Sequence, residues 1–150
     1  MPLHLSTDLR QQVMARAANG CEFCLIHQDD VSDAHEVDHL IARKHGGQSV
    51  AENLTLTCLP CNRHKGSDLT AIDHDTQIMA PLFNPRAQFW PDHFALDGAR
   101  IVGLTPTGRA TAVLLKFNIS IRVDNRRLLM DKRRYPPAGL NFASLILKLS

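Results

Sequence analysis

The sequence has no apolar run near the roughly 18 residues that a membrane-crossing helix needs. Its longest runs, such as Ala112 to Leu115, cover four residues, so no membrane partner is expected. The first residues, from Met1 to Asp8, lack a basic stretch followed by an apolar one. No export signal is read there, and the chain is expected to be cytoplasmic. Internal repeats and low-complexity tracts are absent too. Aromatic residues make up only 5%, with one Trp and one Tyr. Cysteine is missing from both ends: all four lie between residues 21 and 61.

What remains is ordinary for a folded chain. Of 150 residues, 44% are apolar and 21% charged, close to the averages of globular proteins and about one domain's worth of chain. That composition excludes a disordered tail, a collagen-like chain and a coiled coil. The net charge of +2 hides an asymmetry. Residues 1–99 carry seven Lys and Arg against thirteen Asp and Glu, whereas residues 100–150 carry ten against two. A basic segment on an acidic body fits an arm for polyanions, and it equally fits a helix with a solvated basic face. Arg122, Arg126, Arg127, Arg133 and Arg134 are half of that segment's ten basic residues.

The cysteines come as two pairs, Cys21-x2-Cys24 and Cys58-x2-Cys61. In a reducing compartment disulfides are disfavoured, and no thioredoxin-like pattern surrounds either pair. Two such pairs supply the four thiolates of a tetrahedral structural zinc site. Zinc would add folding energy to a stretch with few large apolar side chains.

Local patterns place the elements. Ser6 or Thr7 caps a first helix with Leu9, Val13 and Ala17 on one face, ended by Asn19-Gly20. Ala34 to Ile41 and Asn53 to Thr57 read as strands, and Pro60 opens a short helix that runs to Lys65 before Gly66. Residues 67–92 read as loop, broken by Pro81, Pro85 and Pro91. Phe94 to Leu104 reads as a hairpin turning at Asp97-Gly98, followed by helices over about Arg109–Lys116 and Ile121–Arg134. Trp90 with Phe89 and Phe94 suggests a small core, and apolar Leu140 to Leu149 suggests a packing surface, with a homodimer as one use for it.

Chemistry concentrates in one stretch. Asp38-His39 puts a carboxylate beside an imidazole at a strand end, with Asn53 fourteen and Asn62 twenty-three residues after the imidazole. Oxygen donors suit a hard cation such as Mg²⁺ or Mn²⁺. Neutral imidazole accepts protons near pH 7. A cation, a base and neighbouring Lys or Arg are the parts that hydrolyse a phosphodiester.

These residues, with the two C-x-x-C pairs, Gly46-Gly47, Asn53-Leu54 and Cys61-Asn62-Arg63-His64-Lys65-Gly66, resemble the HNH endonucleases. The likeness covers residues 21–66 closely. Pro81 to Arg86 and Gly108 to Thr111 add a weaker similarity to small bacterial members. The resemblance implies an α+β fold: a ββα-metal core stapled by a four-cysteine zinc site, with an N-terminal helix and a C-terminal hairpin plus helices. Residues 1–150 would be one nuclease domain, with a core over about 6–68 and an extension over about 69–150.

By the same resemblance His39 is the general base and Asn53 holds the loop that orients it. Asp38 and Asn62 hold the catalytic Mg²⁺ or Mn²⁺, while Cys21, Cys24, Cys58 and Cys61 hold structural Zn²⁺. The product would carry a 5′ phosphate and a 3′ hydroxyl. His64 is the alternative second ligand. At 100° per residue Asn62 and His64 point about 200° apart on a helix, so only one can face the ion. Lys65, about 60° from Asn62, is expected near phosphate, together with Arg63, Lys44 and Arg43. Glu36 and His35 are weighed as helpers or plain polar residues. DNA is the expected partner and RNA is left open. The alternative functions are a zinc-stapled binding module that does not cut, and a nicking accessory that needs a partner.

Overall fold

The computed structural model describes residues 5–138. Helix α1 (Thr7–Arg16) starts where expected: the Ser6 hydroxyl accepts the Leu9 N–H at 3.2 Å, and Asp8 sits in the first turn. The chain leaves α1 through Ala18 and Asn19, both at positive φ. Val13 is fully buried, and Leu9 and Ala17 pack beside it on the same face.

Strands β1 (Glu36–His39) and β2 (Leu54–Thr57) pair antiparallel, with Asp38 opposite Thr55 and His39 opposite Leu54. Leu54, Leu56 and Val37 meet Val13 and Leu9 of α1 in a small core. Alternation along the strands then sends Glu36, Asp38, Thr55 and Thr57 to the opposite face. Helix α2 (Leu59–Lys65) follows β2 at once, with Pro60 in its first turn and Gly66 closing it at φ 52°. Strand, strand and helix, in that order, make a ββα unit, as expected.

The stretch expected to be loop contains a hairpin, β3 (Thr70–Asp73) and β4 (Ile78–Pro81). Its alternation is inverted for a reader of hydrophobicity. Ala80 and Asp73 are buried, while Ile72, Ile78 and Met79 are exposed. Helix α3 (Trp90–His93) leads into β5 (Phe94–Asp97) and β6 (Arg100–Gly103), the expected hairpin. Helix α4 (Pro106–Leu114), capped by Thr105, lies on β3, β4 and β6, and α5 (Ser120–Asp131) ends the described elements. Phe94 is the hub of the main core: its ring lies 5.0 Å from Trp90, 5.3 Å from Phe83 and 5.8 Å from Phe117. Phe94→Ala is expected to cost about 3–5 kcal/mol in urea denaturation. Phe89 does not join this core; it is 64% exposed.

Asp73 is fully buried and accepts two hydrogen bonds from Arg109 of α4, each at 2.9 Å. That guanidinium, helped by the Thr76 hydroxyl and the Asp75 N–H, holds its carboxyl well below the usual carboxylate range. The folded value lies below the unfolded one, about 3.9. The stabilisation is therefore complete above that pH and is lost as pH falls toward the folded value. Melting temperatures from pH 7 to pH 2 are expected to drop less steeply for Asp73→Asn than for wild type, from a lower starting point.

The basic helix is a solvated face only in part: Arg127 is exposed, as are Arg133 and Arg134 beyond its end. Arg122 and Arg126 of α5 are buried, which overturns both uses considered for them. Arg122 donates to the Leu115 carbonyl at 2.7 Å and Arg126 to those of Ala99 and Phe117, also at 2.7 Å. Carbonyls at and beyond the end of α4 lack helical partners, and these guanidiniums satisfy them. Among the described residues no helix is long and apolar enough to cross a membrane. The segment Leu140 to Leu149, on which the homodimer expectation rested, lies outside the described residues.

Candidate metal centre and active site

Cys21 and Cys24 sit on a tight turn in which the Leu25 N–H bonds the Cys21 carbonyl at 2.8 Å. Cys58 is the N-cap of α2, and Cys61 lies in its first turn. All four are buried, and their sulfur atoms lie within 4.8 Å of one another, with Cys24 Sγ 3.6 Å from Cys58 Sγ. Zinc–sulfur bonds of about 2.3 Å in a tetrahedron require sulfurs about 3.8 Å apart. The residues fit a structural zinc ion. Burial pushes the Cys61 thiol up, and its three sulfur neighbours push it further; a bound cation is what lets such a set ionise.

Three side chains brace this centre. Arg122 Nη2 donates to Cys61 Sγ at 3.1 Å. The single Tyr, Tyr135, donates to the Cys24 carbonyl at 2.7 Å, and the single Trp, Trp90, to the Phe23 carbonyl at 2.8 Å. None of the three was read from sequence as part of the site, because each lies far along the chain from the knuckles.

On the face of β1 that packs against α2, Asp38 is half-buried, and its Oδ2 is buried with no hydrogen-bond partner. Directly across on β2, the Thr55 hydroxyl is also buried and unpaired. Burial pushes the Asp38 carboxyl up, and the charges of Lys65 and His39 pull it part of the way back. Asn62 of α2 donates through Nδ2 to Glu36 Oε2 at 3.2 Å, which leaves its amide oxygen for another partner. An orphaned carboxylate oxygen and a free amide oxygen fit a hard divalent ion.

His64 follows two positions after Asn62 on α2, and the charges acting on it are those of Lys116 and of Arg122 on α5. Lys65, expected near phosphate, is 2% exposed, and its ammonium donates to the Leu40 and Gly66 carbonyls at 3.3 and 3.4 Å. Arg63 and Lys44 are exposed. His35 lies before β1 rather than on it, with Nε2 3.0 Å from the Ile26 carbonyl.

His39 ends β1. Its Nε2 is 2.9 Å from Ser49 Oγ, and Arg43 Nη1 donates to the same oxygen at 3.2 Å. The loop between the strands is tied by Asn53. Its Oδ1 accepts the Ile41 N–H, and its Nδ2 donates to the Ile41 and Gln48 carbonyls, all at 2.9 Å. Gly47 is packed so tightly in this knot that a Cβ would stand 1.7 Å from the Ile41 oxygen and 2.9 Å from Asn53 Nδ2. Gly47→Ala is therefore expected to disrupt the loop, read as faster amide exchange at Leu40 and Ile41, whose N–H groups bond Asn53, while the zinc content stays unchanged. Ser49 was not singled out from sequence; a serine in a polar loop carries no spacing signal.

The family model of the HNH endonucleases matches residues 21–68. No curated protein and no solved structure gives a match. The ββα order, the four clustered cysteines and the family match coincide on one segment, and it is residues 21–68 that are similar to the HNH endonucleases.

Proposed function

We propose that the chain is a metal-dependent endonuclease that hydrolyses phosphodiester bonds of DNA. The observation that carries the reading is the buried, unpartnered Oδ2 of Asp38 at the end of β1. An adaptor that only binds has no use for it, since leaving such an atom unsatisfied costs roughly 1–3 kcal/mol. Asp38 Oδ2 and the amide oxygen of Asn62 would hold one Mg²⁺ or Mn²⁺. Bound there, such an ion supplies positive charge to the phosphoryl oxygens and to the departing 3′ oxygen.

His39 takes a proton from water, and the resulting oxygen nucleophile attacks phosphorus. The P–O3′ bond breaks, leaving a 5′ phosphate and a 3′ hydroxyl. Asn53 keeps the loop over His39 in one shape. Glu36 accepts from Asn62 Nδ2, so the amide oxygen is the end that would be left to hold the ion. Exposed Arg63 and Lys44 contact the DNA backbone, and the zinc ion is structural.

Supercoiled plasmid with Mg²⁺ or Mn²⁺ tests the reading. Nicking that DNA ligase reseals without end treatment is the expected result, because ligase needs these ends. Absence of any product with either ion, from zinc-loaded protein, would leave the binding module as the better account.

A further inference from the structure

The strand end leaves one question of chemistry open: which ring nitrogen of His39 takes the proton. Nε2 faces Ser49 Oγ at 2.9 Å. Arg43 approaches the same oxygen at 3.2 Å, and a guanidinium only donates. A serine oxygen has two lone pairs. Arg43 takes one, and the other is free to accept a ring N–H from Nε2. We propose that Ser49 is a positioning residue for cleavage: its oxygen accepts the His39 Nε2 proton, which leaves Nδ1 unprotonated and able to take the proton from water.

The step balances. A water O–H bond breaks, its proton goes to Nδ1, the new O–P bond forms, and the P–O3′ bond breaks with the leaving oxygen protonated from solvent. Ser49 itself exchanges nothing; it selects the tautomer and holds the ring. Arg43, expected from sequence to grip DNA backbone, acts here by fixing the serine oxygen. Gly47 and Asn53, two and four residues away, hold that part of the loop, so the hydroxyl is placed by the same knot that closes it.

This inference rests on His39 being the base, and its test separates the two. Zinc-loaded full-length protein with ¹⁵N-labelled histidine gives the His39 tautomer by NMR, without turnover. Wild type is expected to carry the proton on Nε2, and Ser49→Ala to shift the ring toward the Nδ1–H form. In plasmid cleavage Ser49→Ala is expected to lower kcat about 10-fold or more, as other partners that orient a functional imidazole do, with KM nearly unchanged. Ser49→Thr, which keeps the hydroxyl, should restore both readouts. An Nδ1–H tautomer in wild type overturns the proposal, as does an unchanged kcat in a folded Ser49→Ala protein. Wild type that holds the Nε2–H tautomer but never cleaves supports the serine contact and counts against the nuclease reading alone.

Discussion

His39→Ala is expected to slow DNA cleavage by about 10²–10⁴-fold, the range that a positioned general base contributes. The folded protein should scarcely notice. His39 is half-buried at the last position of a four-residue strand, and its ring bonds one loop serine. It belongs to neither hydrophobic core. Zinc content and melting temperature should therefore stay close to wild type, and so should binding of uncleaved DNA. Single-turnover rates, with zinc and melting measured on the same preparations, check this. A His39→Ala protein that cuts at the wild-type rate would remove the proposed base. Loss of both stability and activity would instead make the ring a structural part of the loop.

Removal of zinc is expected to have the larger effect on the molecule as a whole. Cys21, Cys24, Cys58 and Cys61 belong to the main core together with Phe23, Phe94 and Phe117, so the metal centre and the apolar packing form one cooperative unit. Structural zinc contributes on the order of 10 kcal/mol or more to small zinc domains, as much as a whole domain's usual margin of about 5–15 kcal/mol. Chelation, or Cys58→Ser, is expected to abolish the cooperative melt and to expose Trp90, seen as a red-shifted fluorescence. Added Mg²⁺ should not reverse either change, because thiolates bind it poorly. Readdition of Zn²⁺ to the chelated wild type should. A sharp melt in the metal-free protein would show that the cysteines are ordinary core residues.

Legibility from sequence followed how strictly each feature constrains residue type. Metal ligation demands sulfur at set intervals, so Cys21, Cys24, Cys58 and Cys61 were readable and do converge. The ββα unit was readable because Pro60 and Gly66 mark the ends of α2, and Leu54 and Leu56 alternate on β2. The β3–β4 hairpin was hidden for a physical reason. Its inner face carries Ala80 and a charge, Asp73, that only Arg109 on α4 makes tolerable. Neither side chain announces a buried strand. Arg122 and Arg126 misled in the opposite direction. Counted as charge they suggested phosphate or solvent, yet their donors go to the Leu115, Phe117 and Ala99 carbonyls and to Cys61 Sγ. Within the candidate site, Asp38, His39, Asn53 and Asn62 stood out through the resemblance to the HNH motif. Ser49 could not, since only the closed loop brings it to His39.

The most direct test of the account is where a catalytic ion sits. Crystals of the zinc-loaded protein soaked in Mn²⁺, with anomalous scattering recorded at the Mn and Zn edges, would separate the two metals. Zn is expected within the four sulfurs and Mn bonded to Asp38 Oδ2 and the Asn62 amide oxygen, with His64 uninvolved. Manganese bonded by His64, or found only away from Asp38 while both side chains are ordered, would contradict it.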